Sequence, residues 1–480
     1  MKTITLMGFR RALGCPLRST DKRSRLILGV RQASTASDKP ANKKKRVVII
    51  GSGWAGYTLA RTLSPANNTR ILISPRSHFV FTPLLASASV GTIEPRASIE
   101  PVRRLGLDNF HQGWASGVDF RRKTVLVESA PPDDAVSNRS QPIGSGTTFE
   151  VEYDQLVLAV GCHSQTFGIE GVEEYACFLR DVGDARKLRQ RILRAFEKAS
   201  MQTTPECDRR KLLHFAIVGG GPTGIEFAGE LNDLLRKDLA KMYSELLPYA
   251  KITIYDISSK VLPMFGESLT NYAVDRLRQQ GIDVKTGHSL KSIRRSGEFL
   301  SLKIDQETED VGAGVVMWST GLRQNPLVQE LVQQKIEGHG KISKDTGTGG
   351  IVVDSHFRVR TDDDSILPDV FAIGDCTVME NQRLPATAQV ANQQAAHLGR
   401  YLNNPKADMK PFKFRDLGAM AYLGGSRAIH QNSKGELKGI AAWLLWRAAY
   451  LVKSFSIRNR LLIPVYWAAT WITGRDISRF

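Results

Sequence analysis

The stretch Val47-Val48-Ile49-Ile50-Gly51-Ser52-Gly53-Trp54-Ala55-Gly56 decides the fold of this 480-residue chain. Four β-branched apolar residues predict a buried strand, and glycines at G-x-G-x-x-G spacing predict a tight turn that opens a helix. The first Gly permits the turn, the second lets the backbone approach a pyrophosphate, and the third lets helix and strand pack closely. N–H groups and the dipole at the helix start favour phosphate charge. The stretch therefore predicts a dinucleotide-binding unit.

The same pattern returns farther along the chain. Phe215-Ala216-Ile217-Val218 precedes Gly219-Gly220-Gly221-Pro222-Thr223-Gly224 and a second helical segment. One such match is also compatible with a flexible glycine loop. Two matches, each after a buried-type strand, predict two bound dinucleotides.

The two copies differ in the acid that usually holds the ribose about 20 residues beyond the glycines. Asp256 ends the strand predicted for the second copy; its charge would repel a 2′-phosphate, so NADH is favoured over NADPH. The longer spacing there predicts an inserted polar helical stretch at residues 232–247. In the first copy the strand ends at Ser74, and no acid occurs before Glu94. A hydroxyl or the backbone must hold that ribose.

A third signal is Asp369-Val370-Phe371-Ala372-Ile373-Gly374-Asp375, a strand followed by a Gly turn and a carboxylate. Together with the first glycine loop it indicates FAD, whose ribityl chain needs a polar partner. A surface turn that happens to carry an Asp is the alternative. Two more strands end in glycine, at Gly161 and Gly321, where the backbone can approach a cofactor.

Composition limits the remaining classes. The chain has 42% hydrophobic and 24% charged residues and a formal net charge of +18. Residues 1–45 carry twelve Lys and Arg against two Asp, so more than half of the excess lies in one Ser- and Thr-rich arm. That composition is typical of a mitochondrial transit peptide, although a basic disordered tail is an alternative. The rest shows no nucleic-acid motif, and no apolar run reaches the roughly 18 residues of a spanning helix.

The cysteines and histidines indicate neither a thiol relay nor a metal. Cys15, Cys162, Cys177, Cys207 and Cys376 include no closely spaced pair, and the nine His lack ligand spacing. We therefore expect no metal, iron–sulfur cluster or disulfide in the electron path.

The last 42 residues are rich in aromatic and basic side chains. Helical spacing places Trp443, Trp446 and Tyr450 on one face, and Ile463, Trp467 and Trp471 on one face of a second segment. Aromatics with an excess of Arg and Lys predict helices in the membrane interface, bound to anionic lipid. The alternative is a stripe buried in the core or in a dimer, and both can hold together.

The whole pattern resembles the flavoprotein reductases with two dinucleotide-binding domains. More narrowly, residues 46–480 resemble the type II, non-proton-pumping NADH:ubiquinone oxidoreductases of fungal mitochondria. The stretches that carry this narrower resemblance are Ser74-Pro75-Arg76, Phe81-Thr82-Pro83-Leu84-Leu85, Gly220-Gly221-Pro222-Thr223-Gly224-Ile225-Glu226, Leu384-Pro385-Ala386-Thr387-Ala388-Gln389-Val390-Ala391-Asn392-Gln393-Gln394, residues 414–424 and the ending Gly474-Arg475-Asp476-Ile477-Ser478-Arg479-Phe480.

The resemblance implies roles for particular residues. FAD would be held, without a covalent bond, by Gly51, Gly53, Ala55, Gly56, Ser74, Arg76, Thr82, Gly161, Gly374, Asp375 and Ala388. NADH would be held by Gly219, Gly221, Pro222, Thr223, Gly224, Asp256, Ser319 and Gly321. Gln389 and Gln393 would lie by the flavin ring where quinone approaches, or would line the flavin without touching quinone. Glu226, counted with them as catalytic, would help to hold NADH.

The resemblance also implies an α/β fold with two Rossmann-like domains, similar to glutathione reductase, and an amphipathic helical tail. The expected order is an arm at 1–45, an FAD domain at 46–170 and 322–410, an NADH domain at 171–321, and a membrane-attachment region at 411–480. The expected protein is a peripheral homodimer on the mitochondrial inner membrane that binds ubiquinone and anionic lipid. A sulfide:quinone oxidoreductase and an NADH-sensing protein similar to apoptosis-inducing factor are the alternatives.

Overall fold

The structure, a computed structural model, describes residues 44–129, 146–404 and 410–478. Almost all of the predicted targeting arm lies outside the described residues. In chain order the strands are β1 (Lys45–Ile50), β2 (Asn68–Ser74), β3 (His78–Val80), β4 (Ile99–Pro101), β5 (Asn109–Asp119), β6 (Thr124–Ser129), β7 (Thr148–Glu152), β8 (Gln155–Leu158), β9 (Cys162–Ser164), β10 (His214–Val218), β11 (Lys251–Asp256), β12 (Ile282–Thr286), β13 (Leu290–Ser296), β14 (Phe299–Ile304), β15 (Val311–Ala313), β16 (Val315–Trp318), β17 (Leu322–Gln324), β18 (Ile351–Val353), β19 (Arg358–Arg360), β20 (Ile366–Ala372), β21 (Thr377–Met379), β22 (Ala419–Tyr422), β23 (Ala428–Asn432) and β24 (Gly435–Gly439).

The α-helices connect these strands or follow them. They are α1 (Trp54–Thr62), α2 (Leu85–Ser89), α3 (Val172–Tyr175), α4 (Val182–Ser200), α5 (Glu206–Leu212), α6 (Pro222–Leu234), α7 (Ala240–Met242), α8 (Glu267–Gln279), α9 (Pro326–Leu331), α10 (Ala388–Asn403), α11 (Ile440–Lys453) and α12 (Ile457–Thr473).

Two parallel sheets organise the fold. The larger sheet has the order β21-β18-β19-β20-β8-β1-β2-β5-β6-β7, and its centre from β20 to β5 is parallel. The smaller parallel sheet has the order β12-β11-β10-β16. Strands buried on both faces need continuous apolar sequence, and the last four residues of β1 and all five of β10 are buried. The predicted α/β class with two Rossmann-like units is confirmed.

Each parallel sheet reverses its strand order beside its first strand. The reversal lies between β1 and β8 in the larger sheet and between β10 and β16 in the smaller one. Ligands of open α/β sheets bind in the crevice at such a reversal, outside the carboxyl ends of the strands. The chain crosses between the two sheets through β9 and β17, which pair antiparallel.

The stretch at residues 232–247 differs from the predicted insertion. Helix α6 runs directly into a π-helical turn at Leu235–Leu239 and then into α7, so the stretch begins inside an existing helix. It is also largely buried up to residue 239. Asp233 and Asp238 are buried because they bind Tyr422 and Arg475 of the C-terminal region, which sequence spacing cannot reveal.

The C-terminal region consists of the antiparallel sheet β22-β23-β24 followed by α11 and α12. Part of the predicted aromatic stripe packs inward: Trp446, Ile463 and Trp467 are buried, whereas Trp471 is 86% exposed. All three residues lie in α12 at the predicted spacing, but only Ile463 and Trp467 are buried. Trp471 lies about two helical turns beyond Ile463, so the end of α12 extends past the core and its side chain is exposed. Within the described residues, no helix has the length and apolar character needed to cross a bilayer.

Candidate active site

The first glycine loop has the conformation that its spacing predicts. Gly51 has φ +111°, and a Cβ on it would lie 2.3 Å from the carbonyl oxygen of Ala159. A Cβ on Gly56 would lie 1.8 Å from the carbonyl oxygen of Gly51, whereas one on Gly53 would meet no described atom within 4 Å. Packing therefore requires the first and third glycines. The second leaves open the space that a pyrophosphate needs.

The second glycine loop repeats this geometry. Gly219 has φ +112°, and a Cβ on it would lie 2.9 Å from the Oγ of Ser319. A Cβ on Gly224 would lie 2.1 Å from the carbonyl oxygen of Gly219, and one on Gly221 would meet no described atom within 4 Å. The two loops therefore fit the same kind of group.

A cavity of about 440 Å³ is lined by residues from both dinucleotide-binding units. The predicted cofactor residues that line it are Gly51, Gly53, Ala55, Ser74, Arg76, Thr82, Gly161, Thr223, Ser319, Gly321, Gly374, Asp375 and Ala388. The predicted residues Gly56, Gly219, Gly221, Pro222, Gly224 and Asp256 are not part of its lining. Two cofactors held by the two loops could thus extend into one shared space.

Ser74 stands where many such units carry an acid. Its Oγ lies 2.8 Å from the Oγ of Ser52 and accepts a hydrogen bond from the backbone N–H of Arg76 at 3.2 Å. The Arg76 guanidinium is held by Asp181, with Nε and Oδ2 2.7 Å apart. The hydroxyl and the cation are thus fixed at the cavity wall before any ligand binds.

Asp256 lies at the end of β11 beside the second loop. Its Oδ2 accepts a hydrogen bond from the N–H of Gly220 at 2.5 Å, and its Oδ1 accepts one from the N–H of Ser258 at 2.7 Å. Carboxylate oxygens have two lone pairs each, so both can accept a further bond from a ribose hydroxyl. The backbone fixes the carboxylate in the place where the sequence predicts the ribose.

Arg180 is a cavity residue that the sequence reasoning missed. It lines the cavity together with Asp375. Burial raises the pKa of Asp375, and the charge of Arg180 opposes that rise. The Nη1 of Arg180 is buried and has no hydrogen-bond partner among the described residues. An unpaired buried donor costs about 1–3 kcal/mol, so this group fits an acceptor oxygen of a bound dinucleotide.

Cys162, which lines this cavity, and Cys376, next to Asp375, both have thiols that contact backbone carbonyl oxygens. The Cys162 thiol donates to the carbonyl oxygen of Asp375 at 3.0 Å, and Cys376 is fully buried. Burial raises the pKa of Cys162 to about 12 and that of Cys376 to about 11. Because the thiolate is the reactive form, the geometry argues against the sulfide-oxidising alternative. Within the described ranges, no group of three or more His, Cys, Asp or Glu is placed to hold a metal ion.

The two glutamines predicted at the quinone both bind backbone groups. The Oε1 of Gln389 accepts from the N–H of Leu417 at 2.6 Å, and Gln393 exchanges two bonds with the backbone of Arg415, at 2.9 and 3.0 Å. Neither glutamine lines the cavity above or its apolar neighbour described next. The adjacent Gln394, to which the sequence reasoning assigned no role, is buried and accepts a bond from the N–H of Gly374 at 2.7 Å.

A second cavity, of about 280 Å³, adjoins the first. The two share the wall residues Thr82, Leu179, Thr223 and Ala388. Its other lining residues are mainly apolar and come from three parts of the chain: Pro83, Leu85, Ala86, Pro222, Glu226, Met420 and Tyr450. The position suits an apolar substrate that must approach the first cavity without entering the nucleotide site.

Glu226 is the acidic group in this second cavity. Its Oε1 accepts hydrogen bonds from the indole N–H of Trp446 at 3.1 Å and from the N–H of Tyr422 at 3.2 Å. Burial raises the pKa of Glu226 to about 8, although these two bonds oppose the rise. The carboxyl group is therefore largely protonated at neutral pH. Trp446 and Tyr422 are missing from the sequence-based site because they lie about 200 positions away.

One face of α6 and its π-helical extension is acidic, buried and bound to the C-terminal region. Beyond Glu226, this acidic face consists of Glu230, Asp233 and Asp238. Arg475 donates from Nη1 to Asp238 at 2.7 Å and approaches Glu230 at 3.5 Å. The carboxylate of Asp233 accepts a bond from the Tyr422 hydroxyl at 2.5 Å.

Comparisons with known proteins identify the family of this chain. The family described as pyridine nucleotide-disulphide oxidoreductase matches residues 45–395, and the NDH2 C-terminal domain matches residues 417–476. A probable NADH dehydrogenase of Dictyostelium discoideum is 37% identical over 446 residues, covering 91% of this chain and 92% of the relative. External NADH-ubiquinone oxidoreductase 2 of Saccharomyces cerevisiae, a mitochondrial protein, is 32% identical over 474 residues, covering 91% and 82%.

The solved structure of NDH2 from Plasmodium falciparum in complex with NADH has the same fold. Its TM-score is 0.81 at 23% identity, over 91% of this chain and 100% of that chain. The resemblance predicted from the sequence is confirmed. The chain belongs to the pyridine nucleotide-disulphide oxidoreductase family and, by its C-terminal domain and its relatives, to the type II NADH dehydrogenases.

Proposed function

We propose that this protein is an FAD-dependent, non-proton-pumping NADH:ubiquinone oxidoreductase of the mitochondrial inner membrane. The observation that carries the proposal is the shared cavity. Residues of both dinucleotide-binding units line it, with Thr223 coming from the second glycine loop, and a second cavity that contains Glu226 adjoins it. The net reaction converts NADH, one proton and ubiquinone to NAD⁺ and ubiquinol.

The chain supplies binding, orientation and exclusion of water. FAD, when bound, accepts a hydride from NADH and returns two electrons to a quinone. The first loop, with Ser74, Arg76, Arg180 and Asp375, would hold FAD. The second loop, with Asp256 and the turn at residues 319–321, would hold NADH.

Quinone reduction is assigned to the second cavity, with Glu226 as the group that carries a proton. The apolar wall suits a quinone ring, and the protonated carboxyl group can donate to a quinone oxygen. Contact between quinone and Gln389 or Gln393 stays a prediction. Their hydrogen bonds favour a positioning role, in which they hold residues 415–418 against α10.

The C-terminal helices would attach the protein to the membrane. Both α11 and α12 expose apolar side chains that no described element covers. These are Ile440, Leu444, Leu445, Val452, Ile457, Leu461, Val465, Trp471 and Ile472. A helix with an exposed apolar stripe and neighbouring cations suits a bilayer interface that contains anionic lipid. The homodimer and the domain boundaries that the sequence indicates stay predictions.

Matched glycine substitutions test whether the two glycine loops bind FAD and NADH. In Gly53→Ala the methyl group meets no described protein atom within 4 Å but enters the space assigned to the FAD pyrophosphate. We expect a folded protein that purifies with little FAD. Gly221→Ala should keep FAD and raise KM for NADH about ten-fold, which corresponds to ~1.4 kcal/mol. Gly117→Ala on β5, where a Cβ is equally free, is the control. Full flavin content and full activity in Gly53→Ala would contradict the assignment.

The preference for NADH over NADPH tests whether Asp256 binds the ribose of the nucleotide. Asp256→Asn removes the negative charge and one acceptor oxygen, and hydrogen bonds to charged groups contribute about 1.5–3 kcal/mol. We expect KM for NADH to rise about ten-fold or more and the preference over NADPH to narrow, measured by steady-state kinetics with both nucleotides. Asp283→Asn, which loses only a surface pair with Lys251, should change neither. An unchanged NADH to NADPH ratio in Asp256→Asn would count against its ribose role.

A further inference from the structure

The short connection between α11 and α12, residues 454–456, is anchored on the flavin-binding part of the chain, by which we mean residues 46–170. Residues 440–478, from the start of α11 to the end of the described chain, are called the tail. The ring of Phe455 packs against Phe79, Tyr57 and Trp54, with centroids 5.0, 5.4 and 5.7 Å apart. The first turn of α12 is held by Glu100, whose Oε1 accepts from the Asn459 amide at 2.8 Å. The start of α12 therefore has a defined position on the surface of that part.

This anchoring places arginines of the flavin-binding part beside the tail. The guanidinium carbon of Arg61 lies 5.0 Å from the centroid of the Phe455 ring. Burial raises the pKa of the Tyr57 hydroxyl to about 12, and the charges of Arg61 and Arg104 oppose that rise. Arg104 lies in the 3-10 turn at Val102–Leu105, directly after β4, the strand that carries Glu100, and both arginines are exposed.

The tail adds cations at the same place. Lys453, Arg458 and Arg460 flank the connection and are exposed. Within the described parts of the chain, none of these three, nor Arg61 or Arg104, forms an ion pair with an acid. Glu100, a neighbouring carboxylate, is buried and occupied by hydrogen bonds from the tail. The five cations outnumber this neighbouring carboxylate, so the edge carries a net positive charge.

The same edge exposes apolar side chains. Val452, Ile457 and Leu461 are 68%, 75% and 67% exposed. Apolar side chains alone would suit a protein partner as well as a membrane. An apolar stripe bordered by unpaired cations from two different parts of the chain matches a surface that is apolar inside and anionic at its boundary.

We propose that Arg61 and Arg104, together with Lys453, Arg458 and Arg460, form a single cationic rim that binds the headgroups of anionic phospholipids. The flavin-binding part then contacts the bilayer directly, and the tail is only half of the membrane surface. The proposal rests on the membrane attachment proposed above and assigns a lipid class to it. A rim of this kind would also limit the tilt of the protein and direct the second cavity toward the lipid.

The test is partition of the FAD-loaded full chain into vesicles. Phosphatidylcholine vesicles are compared with vesicles that also contain phosphatidylglycerol, by flotation at constant low salt. Each basic residue near an anionic surface contributes roughly five-fold in partition, about 1 kcal/mol. Arg61→Gln/Arg104→Gln should therefore bind the anionic vesicles about 25-fold more weakly than the unaltered protein. Its binding to neutral vesicles should not change.

Two matched variants separate charge from packing. Arg61→Lys/Arg104→Lys keeps the charge and should keep the binding, even though it weakens the contact with Phe455. Lys303→Gln/Lys335→Gln removes two exposed cations elsewhere and should also bind normally. Retained FAD content shows that each variant is folded.

The outcomes are distinct. If the unaltered protein prefers anionic vesicles and Arg61→Gln/Arg104→Gln shares that preference in full, the rim is wrong while membrane attachment stands. If the unaltered protein binds neither kind of vesicle, membrane attachment itself is wrong, and the rim is wrong with it. Equal loss in the Lys and Gln variants would show that packing around Phe455, not charge, is responsible.

Discussion

Glu226→Gln is expected to lower the turnover number for quinone reduction about 100-fold and to leave the reduction of the bound flavin by NADH nearly unchanged. The amide has almost the same shape and can still accept from Trp446 and Tyr422, but it cannot give up a proton. Positioned general acids contribute roughly 10²–10⁴-fold to rate. The lower figure applies here because water provides an alternative proton source. Anaerobic mixing with NADH, followed separately by mixing with a soluble quinone, measures the two half-reactions.

The pH dependence follows from the same group. Burial raises the pKa of Glu226 to about 8. The acid form therefore persists above the usual range of a glutamate, and the rate of quinone reduction should fall as the pH rises through about 8. In Glu226→Gln the rate of quinone reduction should no longer fall as the pH rises through about 8. Trp446→Phe keeps an aromatic ring but loses the indole N–H, whose hydrogen bond to Glu226 lowers the pKa of that carboxyl group. The fall in rate should therefore move to higher pH. A Glu226→Gln enzyme with full quinone turnover and the original fall in rate would show that the proton comes from elsewhere.

Arg475→Met is expected to lower the free energy of unfolding by about 3–5 kcal/mol, the typical cost of breaking a buried ion pair by removing one partner. Arg475 is 9% exposed. It donates to both carboxylate oxygens of Asp238, at 2.7 Å from Nη1 and 3.0 Å from the backbone N–H. Its Nε also donates to Thr92 at 3.0 Å. Methionine would leave the charges of Asp238 and Glu230 buried without their cation.

Chemical unfolding followed by flavin fluorescence measures this loss, and proteolysis at α12 reports whether the tail separates first. Arg383→Met breaks a pair with Asp345 in which the arginine side chain is 72% exposed. It should cost less than about 1 kcal/mol. Adding Asp238→Leu to Arg475→Met removes both partners and should recover part of the stability, because a buried pair replaced by apolar residues is often neutral. Equal, small losses in Arg475→Met and Arg383→Met would show that the acidic face of α6 does not depend on the tail.

The buried ion pair between Arg475 and Asp238 also links the C-terminal region to the helix of the second glycine loop. Helix α6 begins at the second glycine loop and carries Glu226 and the acidic face. Ser87 and Thr92 of the flavin-binding part donate to Glu230, each at 2.7 Å, while the tail binds the same helix from its other end. The tail therefore fixes the helix that would hold NADH, in addition to any role at the membrane.

The amino-acid sequence by itself determined the two dinucleotide cradles and the class of cofactor. Their signals are local: a glycine that adopts positive φ, a second that leaves space and a third that packs under the first are all contained within six residues. The φ angles of Gly51 and Gly219, +111° and +112°, show that equal spacing produced equal geometry.

Only the tertiary structure decided which side chains from distant parts of the sequence lie near the two glycine loops. Helical periodicity defines a stripe on α11 and α12 but not the side that faces the core, so Trp446 and Trp467 turned out to be buried and Trp471 exposed. An amide such as Gln389 can pair with a ligand or with backbone, and the partner depends on which chain segment packs beside it. Arg180 and Arg475 show no local pattern, because a buried charge is recognised by the groups around it. Those groups come from distant parts of the sequence, and packing alone brings them together.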